Sequence, residues 1–427
     1  MDIKYLCNSH LKDKYLKAFI RISGTREWCD VCRKVKTCVD IPTLATRIEE
    51  DLRREYDDPW AAGFSRDDES GELIGGNIYD KYELVEREAS IEPYEIVEAI
   101  CQEMDTTDWA SLDWLLPESE YMEYGWQEFR KVVKHQMRFV FFSEKNHNLI
   151  SNNDYNSLHP QDVLQTVGAL LKSQNITTMH EPGMLSLYRA RQHCPGDIVN
   201  TAAALGAPPV QYAQANRMSP AGIAMFYGAF DAATCLAEIT DYDKRTSSVS
   251  YGIFTNQVPL RLIDFSLPLT SPSIFNPDYS RKAKRLREGA IFLTNFIRDL
   301  QQPIEKKDPH IEYVPTQVVC EYLRYMYKGG QIDGLAYNSV KNPGGKCVVL
   351  FIGNSESVDE VPAALASPAT AYYPHVSDTP KLILKTNSVK RQSMRHLRTQ
   401  RQAQIDHKRA QEQEFFDQLL GKATTLS

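Results

Sequence analysis

NRMSPAGIAMFYGAFDAATCLAEI (216–239) decides the fold class of this 427-residue chain. It contains AMFYGAF, a short apolar run of the kind a sheet buries. Asp231 then stands where a helix N-cap belongs, and DAATCLAEI reads as the helix that follows. Working outward, LYRAR (187–191) sits in the alternating run LSLYRAR. DGLAYNSVKNPGGKCVVLF (333–351) holds two more strands, GLAYNS and KCVVLFI, around a proline–glycine turn. SVSYGIF and LRLIDFS add two further strands. Helices are expected at 231–240, about 281–299 and about 315–328. Strands interrupted by helices in this irregular order predict an α+β domain with a mixed or antiparallel sheet.

Upstream the apolar period lengthens from two to helical spacing. TLATRIEEDLRREYDD places Leu44, Ile48 and Leu52 one turn apart, with Thr43 as the expected cap. IEPYEIVEAICQEM puts Pro93 in a first turn, where its missing N–H is harmless. SEYMEYGWQEFRKVVKHQMRF lines up Trp126, Phe129 and Val133. The polar stretch 63–76 reads as a loop, and 144–158 as a domain boundary before the helix PQDVLQTVGALLKSQ. The amino-terminal third is therefore expected to be mostly helical.

The length predicts two to three domains. At 42% hydrophobic and 25% charged residues the composition is that of a globular chain able to bury a sizeable core. A net charge of −7 argues against nucleic acid or a membrane surface as the partner of the whole chain. Acidic residues crowd 47–128, and basic ones gather at 384–410. No basic-then-apolar leader and no membrane-length apolar run are seen, so a cytoplasmic protein without a membrane span is expected. Nine cysteines, an odd number, then read as reduced thiols.

Cys7-x2-His10 and Cys29-x2-Cys32 form two ligand pairs eighteen residues apart. Two such knuckles hold a structural tetrahedral zinc, and a segment this short has little core of its own. Cys38 is a spare ligand. The alternative is that Cys7 and His10 flank a helix and the thiols are unligated.

The strand ends carry chemistry of another kind. Arginine pairs bidentately with phosphate oxygens and keeps its charge, so Arg189 and Arg217 suit a dinucleotide diphosphate. Breaking the nicotinamide–ribose bond of NAD leaves a ribosyl cation, which a carboxylate such as Glu238 stabilises. Ser339 suits a ribose hydroxyl, and Tyr188 and Tyr227 suit stacking on nicotinamide. Spacing alone leaves open that these are ordinary polar residues at element ends.

These residues, Tyr188-Arg189, Arg217 in NRMSPAG, Tyr227 in FYGAFD, Glu238 in LAEI and Ser339 in DGLAYNS, resemble the RES domain, named for its Arg, Glu and Ser. YVPTQVVCEYLR (313–324) adds to the likeness, which covers about 180–356. It implies an ADP-ribosyltransferase-like fold with NAD as substrate. It also implies catalytic roles for Glu238, Arg189 and Ser339, and NAD contacts from Tyr188, Arg217 and Tyr227. RES domains occur in Res–Xre toxin–antitoxin pairs, so a cognate antitoxin of the Xre type is the implied partner. Two departures are Arg191, a second candidate anchor just past Arg189, and Met218 beside Arg217.

Residues 41–150, through WQEFRKVVKH and the aromatic run RFVFF, resemble the HEPN-like domain that precedes some RES domains. The expected organisation is thus a zinc knuckle (1–40), a helical module (41–150), the RES domain (180–356) and a basic helical tail (385–427). That tail reads as a helix over about 389–420 ending in Phe415, Phe416, Leu419 and Leu420. It is solvated or packs on its own protein; a partner-docking helix is the alternative. The activity expected is hydrolysis or phosphorolysis of NAD. Alternatives are ADP-ribosylation of a protein target, a RES fold that only binds a nucleotide or partner, and HEPN-type RNA cleavage by Arg130-x4-His135. That last pair points in different directions on a helix, and the surrounding acidity repels RNA. A homo-oligomer is compatible with the sequence. Walker, Rossmann, GxSxG and HExxH motifs are absent, and His180-Glu181-Pro182 is no zincin because proline breaks the helix.

Overall fold

The computed structural model describes residues 3–66, 73–74, 77–112, 117–140, 158–244, 247–302, 308–361, 380–403, 406 and 409–410. The chain forms two compact units. The amino-terminal unit comprises residues 1–129, 142–163 and 269–296; the carboxy-terminal unit comprises 130–141, 164–268 and 297–427. The stretch 144–158, expected to be a domain boundary, lies outside the described residues except for residue 158.

The amino-terminal unit opens with β1 (Tyr5–Cys7), α1 (Lys14–Ser23), β2 (Thr25–Cys29) and β3 (Lys34–Asp40). The strands form an antiparallel sheet in the order β1-β3-β2. α1 starts where the Asp13 carboxylate accepts the Tyr15 and Leu16 N–H groups at 2.8 and 2.9 Å. α2 (Ile41–Leu52) buries Leu44, Ile48 and Leu52, as their spacing predicts. Its cap is Asp40, not Thr43. The Asp40 carboxylate accepts the Thr43 N–H at 2.9 Å, so the helix begins two residues before the expected cap. β4 (Tyr56–Asp57) follows, then the short pair β5 (Ser65–Arg66) and β6 (Leu73–Ile74), within the stretch read as a loop. β7 (Ile78–Asp80), α3 (Lys81–Ala89), α4 (Tyr94–Gln102) and β8 (Asp108–Ser111) come next, with strand order β4-β8-β7. Pro93 is the N-cap residue of α4 rather than part of its first turn. In α5 (Glu118–His135), Trp126, Phe129 and Val133 are all buried.

Segment 269–296 completes this unit from far along the chain. Ile274 and Phe275 join the core with Leu6, Leu16, Leu44, Leu84, Ile96 and Trp109. Phe296 meets Trp126 edge-on, with ring centroids 4.8 Å apart. Arg287 pairs with Glu88 and lies 3.6 Å from Glu55, whose side chains are only 2% and 6% exposed. Tyr56 donates to Glu88 at 3.2 Å, and Tyr279 donates to Glu55. The two buried carboxylates thus share one guanidinium, the condition under which such charges are tolerated.

The carboxy-terminal unit holds α6 (Pro160–Gln174) from residue 164 onward, β9 (Thr177–His180), β10 (Ser186–His193), α7 (Ala202–Leu205), β11 (Phe226–Ala229), α8 (Ala232–Ile239), β12 (Ser248–Asn256) and β13 (Leu260–Asp264). α9 (Arg281–Gln301) ends in it. α10 (Pro309–Glu312), α11 (Val314–Tyr325), β14 (Gly334–Asn338), β15 (Lys346–Leu350), β16 (Ser357–Asp359), β17 (Leu382–Leu384) and β18 (Lys390–Ser393) complete the series. A ten-stranded sheet runs β16-β17-β12-β10-β11-β15-β14-β13-β9, with β18 also on β12. Pairs β13–β14 and β16–β17 are parallel and the others antiparallel, so the sheet is mixed and the chain is α+β.

Alternation gives the sheet two apolar faces. Leu187, Phe226, Phe254, Leu262, Val348 and Leu350 pack on one. Tyr188, Ala190, Ala229, Tyr251 and Cys347 pack on the other, with Cys235 and Leu236 of α8. The basic carboxy-terminal segment does not begin as the expected helix. Residues 390–393 pair with Ser248–Tyr251 of β12, an edge that β17 covers only over Phe254–Asn256. Helix follows from 394, burying Met394 and Leu397. Phe415, Phe416, Leu419 and Leu420 lie outside the described residues, as do Phe141 and Phe142 of the aromatic run. Among the described residues no helix is long and apolar enough to cross a membrane.

Candidate functional site

α8 and the turn after β14 build the centre of the site. Asp231 caps α8, accepting the Thr234 N–H at 2.7 Å and its hydroxyl at 2.6 Å. Glu238 therefore falls near the other end of the same short helix. The turn 339–345 is closed by the Ser339 N–H donating to the Gly345 carbonyl at 2.8 Å. Gly344 takes φ +84, where a side chain is strained. A Cβ on Gly345 would stand 2.1 Å from the Thr234 hydroxyl. The Asn342 amide donates to that hydroxyl at 2.7 Å, and Lys341 Nζ donates to the Glu238 carbonyl at 2.6 Å. The turn is thus held at both ends of α8. The outcome is a 2.5 Å hydrogen bond from the Ser339 hydroxyl to Glu238 Oε1. Ser339 also accepts the Asn342 N–H at 3.0 Å, which fixes its hydroxyl proton on the carboxylate. Cys347 lies behind, its sulfur 3.8 Å from the same oxygen; burial and then Glu238 push its thiol up to about 12.

Beside this pair the sheet opens. β10 and β11 share one register pair, Tyr188↔Ala229. The next pair of a continued ladder would be Ala190 with Tyr227. Instead, Arg189 Nη1 donates to the Tyr227 carbonyl. Arg189 Nε reaches the Leu205 and Gly206 carbonyls at 2.8 and 2.9 Å, and its guanidinium lies over Phe226, 5.1 Å from the ring centroid. Burial, then Arg191, bring its pKa down to about 10, so it stays charged near neutrality. By alternation Arg189 belongs to the sheet face opposite Tyr188, with its head in the gap between strands.

Arg217 lies in a tight turn bridged by Asn216 and Ser219. α11 pins that turn: Thr316 donates to the Arg217 carbonyl, and Gln317 donates to the Asn216 and Ser219 carbonyls at 2.8 and 3.2 Å. The Arg217 guanidinium donates to the Leu300 carbonyl at 3.0 Å. The Tyr227 hydroxyl is 3.0 Å from that of Ser219, and burial raises its pKa. Tyr337 was not among the residues singled out from sequence. Burial lifts its hydroxyl well above the usual value; Cys347, Tyr227 and Glu238 add to this, and Arg217 opposes it. Tyr337, in β14, packs against the cluster that holds Tyr188, Cys235 and Cys347. The signal was its position two residues before Ser339, which gives both one sheet face. Glu238 and Ser339 are thus in direct contact, Tyr188 packs beneath α8, and Arg189 occupies the gap, while Arg217 and Tyr227 are held by Leu300 and Ser219 rather than by that pair.

In the amino-terminal unit, the ligand atoms of Cys7, His10, Cys29 and Cys32 all lie within 4.8 Å of one another. His10 Nε2 is buried and makes no hydrogen bond among the described residues. Three thiols and an imidazole so placed can hold a metal ion, and the orphaned nitrogen fits that use. Cys38 faces Cys7 across β1 and β3 but turns its sulfur to the Glu27 carbonyl at 3.5 Å, outside the group. Arg130 pairs with Asp299 at 3.1 Å, while His135 is exposed at the end of α5.

Residues 186–374 match the RES domain family, and residues 23–147 match HEPN/RES N-terminal domain 1. No curated protein matches the chain. A solved structure, the M. tuberculosis MbcT–MbcA toxin–antitoxin complex, is similar over 55% of this chain and 96% of that one. Its identity is 9% and its TM-score 0.26.

Proposed function

The chain belongs to the RES-domain family, and from that premise we propose that it cleaves the nicotinamide–ribose bond of NAD in the site around Glu238. The observation that carries this reading is the 2.5 Å contact of Ser339 with Glu238 beside an opening in the sheet. As nicotinamide leaves with the bonding electron pair, positive charge develops on the ribosyl carbon. A carboxylate fixed in advance stabilises that charge without reorganising. Ser339 orients Glu238 and keeps one of its oxygens occupied, leaving the other for the cation or a ribose hydroxyl. Arg217, and Arg189 from the gap, supply positive charge for the diphosphate, and Tyr227 offers a ring for nicotinamide. The dinucleotide would then lie across the opening. Water or phosphate completes the reaction at the ribosyl carbon, giving ADP-ribose or its phosphate. Loss of cellular NAD would make the chain a toxin, and the family resemblance supports a protein antitoxin as its partner.

We also propose that Cys7, His10, Cys29 and Cys32 hold a structural zinc, which would tie β1 to the β2–β3 hairpin. Zinc here supplies cross-linking, not catalysis.

Incubation of the full chain with NAD, with and without phosphate, tests the catalytic reading. NAD disappears with release of nicotinamide, and a folded Glu238→Gln variant loses the activity. Stable NAD, or full activity in that variant, overturns it. Labelled protein instead of free ADP-ribose would assign the site to transfer.

A further inference from the structure

The likeness to RES domains ends at residue 374, yet the chain beyond it returns to the helix that carries Glu238. β18 takes the open edge of β12, and residues 394–403 follow it as a helix. Met394, Leu397, Arg398 and Arg401 recur there at the spacing of one helix face. Met394 and Leu397 are buried in the cluster that includes Cys235, with Leu236 of α8 and Tyr242 packed against it. Arg398 donates to the Tyr242 carbonyl. The Arg401 guanidinium lies over the Tyr242 ring, 4.2 Å from its centroid. The apolar half of this face therefore anchors the segment, and its cationic half grips one residue.

Tyr242 stands four residues after Glu238. α8 has eight residues, short of the roughly 12–15 that a helix needs to persist by itself, so neighbours must fix its ends. Asp231 and Asn342 fix the beginning. At the other end, the Thr240 hydroxyl donates to the Leu236 carbonyl at 2.6 Å, and Lys341 Nζ holds the Glu238 carbonyl. Gln192 of β10 takes Asp241 in a paired hydrogen bond. Its amide nitrogen donates to the Asp241 carbonyl at 3.0 Å, and its oxygen accepts the Asp241 N–H at 2.8 Å. The same nitrogen lies 3.7 Å from the Met394 sulfur, so the two holds on residues 241 and 242 touch each other. A cation on a carbonyl near the end of a helix is also favoured by the helix dipole.

We propose that segment 390–403 is a clamp on the carboxyl end of α8, and that Arg398 and Arg401 are positioning residues for Glu238, acting through Tyr242. The clamp stands on these contacts alone; its effect on catalysis rests on the NAD reading. Neither arginine touches substrate in this scheme. They hold the backbone that leaves the helix, so the carboxylate stays where Ser339 meets it. The site is then completed by residues from beyond the stretch that resembles the family.

Hydrogen exchange and NAD turnover of the full chain test this together. The variants are Arg398→Gln with Arg401→Gln, Tyr242→Ala, Tyr242→Phe, and the control His396→Gln on the exposed flank of the same helix. In the double variant, exchange over residues 232–242 speeds up about tenfold or more while that over β14 is unchanged. Its kcat falls about tenfold or more, with KM within about twofold. Tyr242→Ala shifts both readouts in the same direction. Tyr242→Phe keeps the ring and the carbonyl, and it stays within about twofold of wild type, as does His396→Gln. Unchanged exchange over 232–242 in the double variant, or equal acceleration over β14, overturns the clamp. Faster exchange with a wild-type kcat overturns the positioning role. If wild type turns over no NAD but the double variant still exchanges faster over 232–242, the NAD reading falls and the clamp stands.

Discussion

Ser339→Ala isolates the contact on which the catalytic reading depends. The variant removes a 2.5 Å hydrogen bond to Glu238 and the acceptor for the Asn342 N–H, at a residue only 6% exposed. A hydrogen bond to a charged group contributes about 1.5–3 kcal/mol. If that whole contribution orients Glu238 in the transition state, kcat falls by about 10- to 150-fold, since each 1.36 kcal/mol is tenfold. The turn retains the Asn342–Thr234 and Ser339–Gly345 hydrogen bonds, so the fold survives. Initial rates of NAD loss should be compared for wild type, Ser339→Ala, Glu238→Gln and the double variant. If Ser339 acts through the carboxylate, its removal costs little more once Glu238 is already Gln. Losses that simply multiply would refute the reasoning, because the hydroxyl would then act independently.

Gly345→Ala drives a methyl group to within 2.1 Å of the Thr234 hydroxyl, displacing the turn from α8. We expect a loss of about 1–3 kcal/mol in chemical denaturation and a larger fall in NAD turnover than the stability loss explains. Arg287→Gln leaves Glu55 and Glu88 buried without their shared cation and should cost about 3–5 kcal/mol by urea unfolding. Metal analysis of purified protein should find about one zinc per chain, abolished by Cys29→Ser together with a lower melting temperature. Unchanged metal content in that variant would exclude Cys29 as a ligand.

Local features were legible before the structure. The capping aspartate at 231, the strands around Tyr188, Tyr227 and Ser339, and the buried Leu44–Ile48–Leu52 stripe all follow from short-range pattern. The ligand pairs of the Cys/His group could be read from spacing because each closes a small loop. Less visible was anything decided across the chain. Asp40 rather than Thr43 caps α2 because both residue types can cap, and backbone geometry chooses between them. The Asn342–Thr234 bond joins residues 108 positions apart, and no local period encodes it. The gap between β10 and β11 was equally hidden, since Arg189 fills it with donors that a sequence offers just as readily to solvent. Likewise, residues 390–393 are polar enough for a surface helix, yet the open edge of β12 recruits them as a strand.

The placement of residues 269–296 within the amino-terminal unit has a consequence for biosynthesis. Ribosomes deliver the chain from its first residue, but Ile274, Phe275, Arg287 and Phe296 emerge only after β9 to β13 of the second unit have been made. Until then Glu55 and Glu88 lack the Arg287 guanidinium they share, and Trp126 lacks its edge-on contact with Phe296. The first unit cannot finish folding co-translationally ahead of the second. For the same reason, no single protease cut or truncation separates the chain into two intact halves.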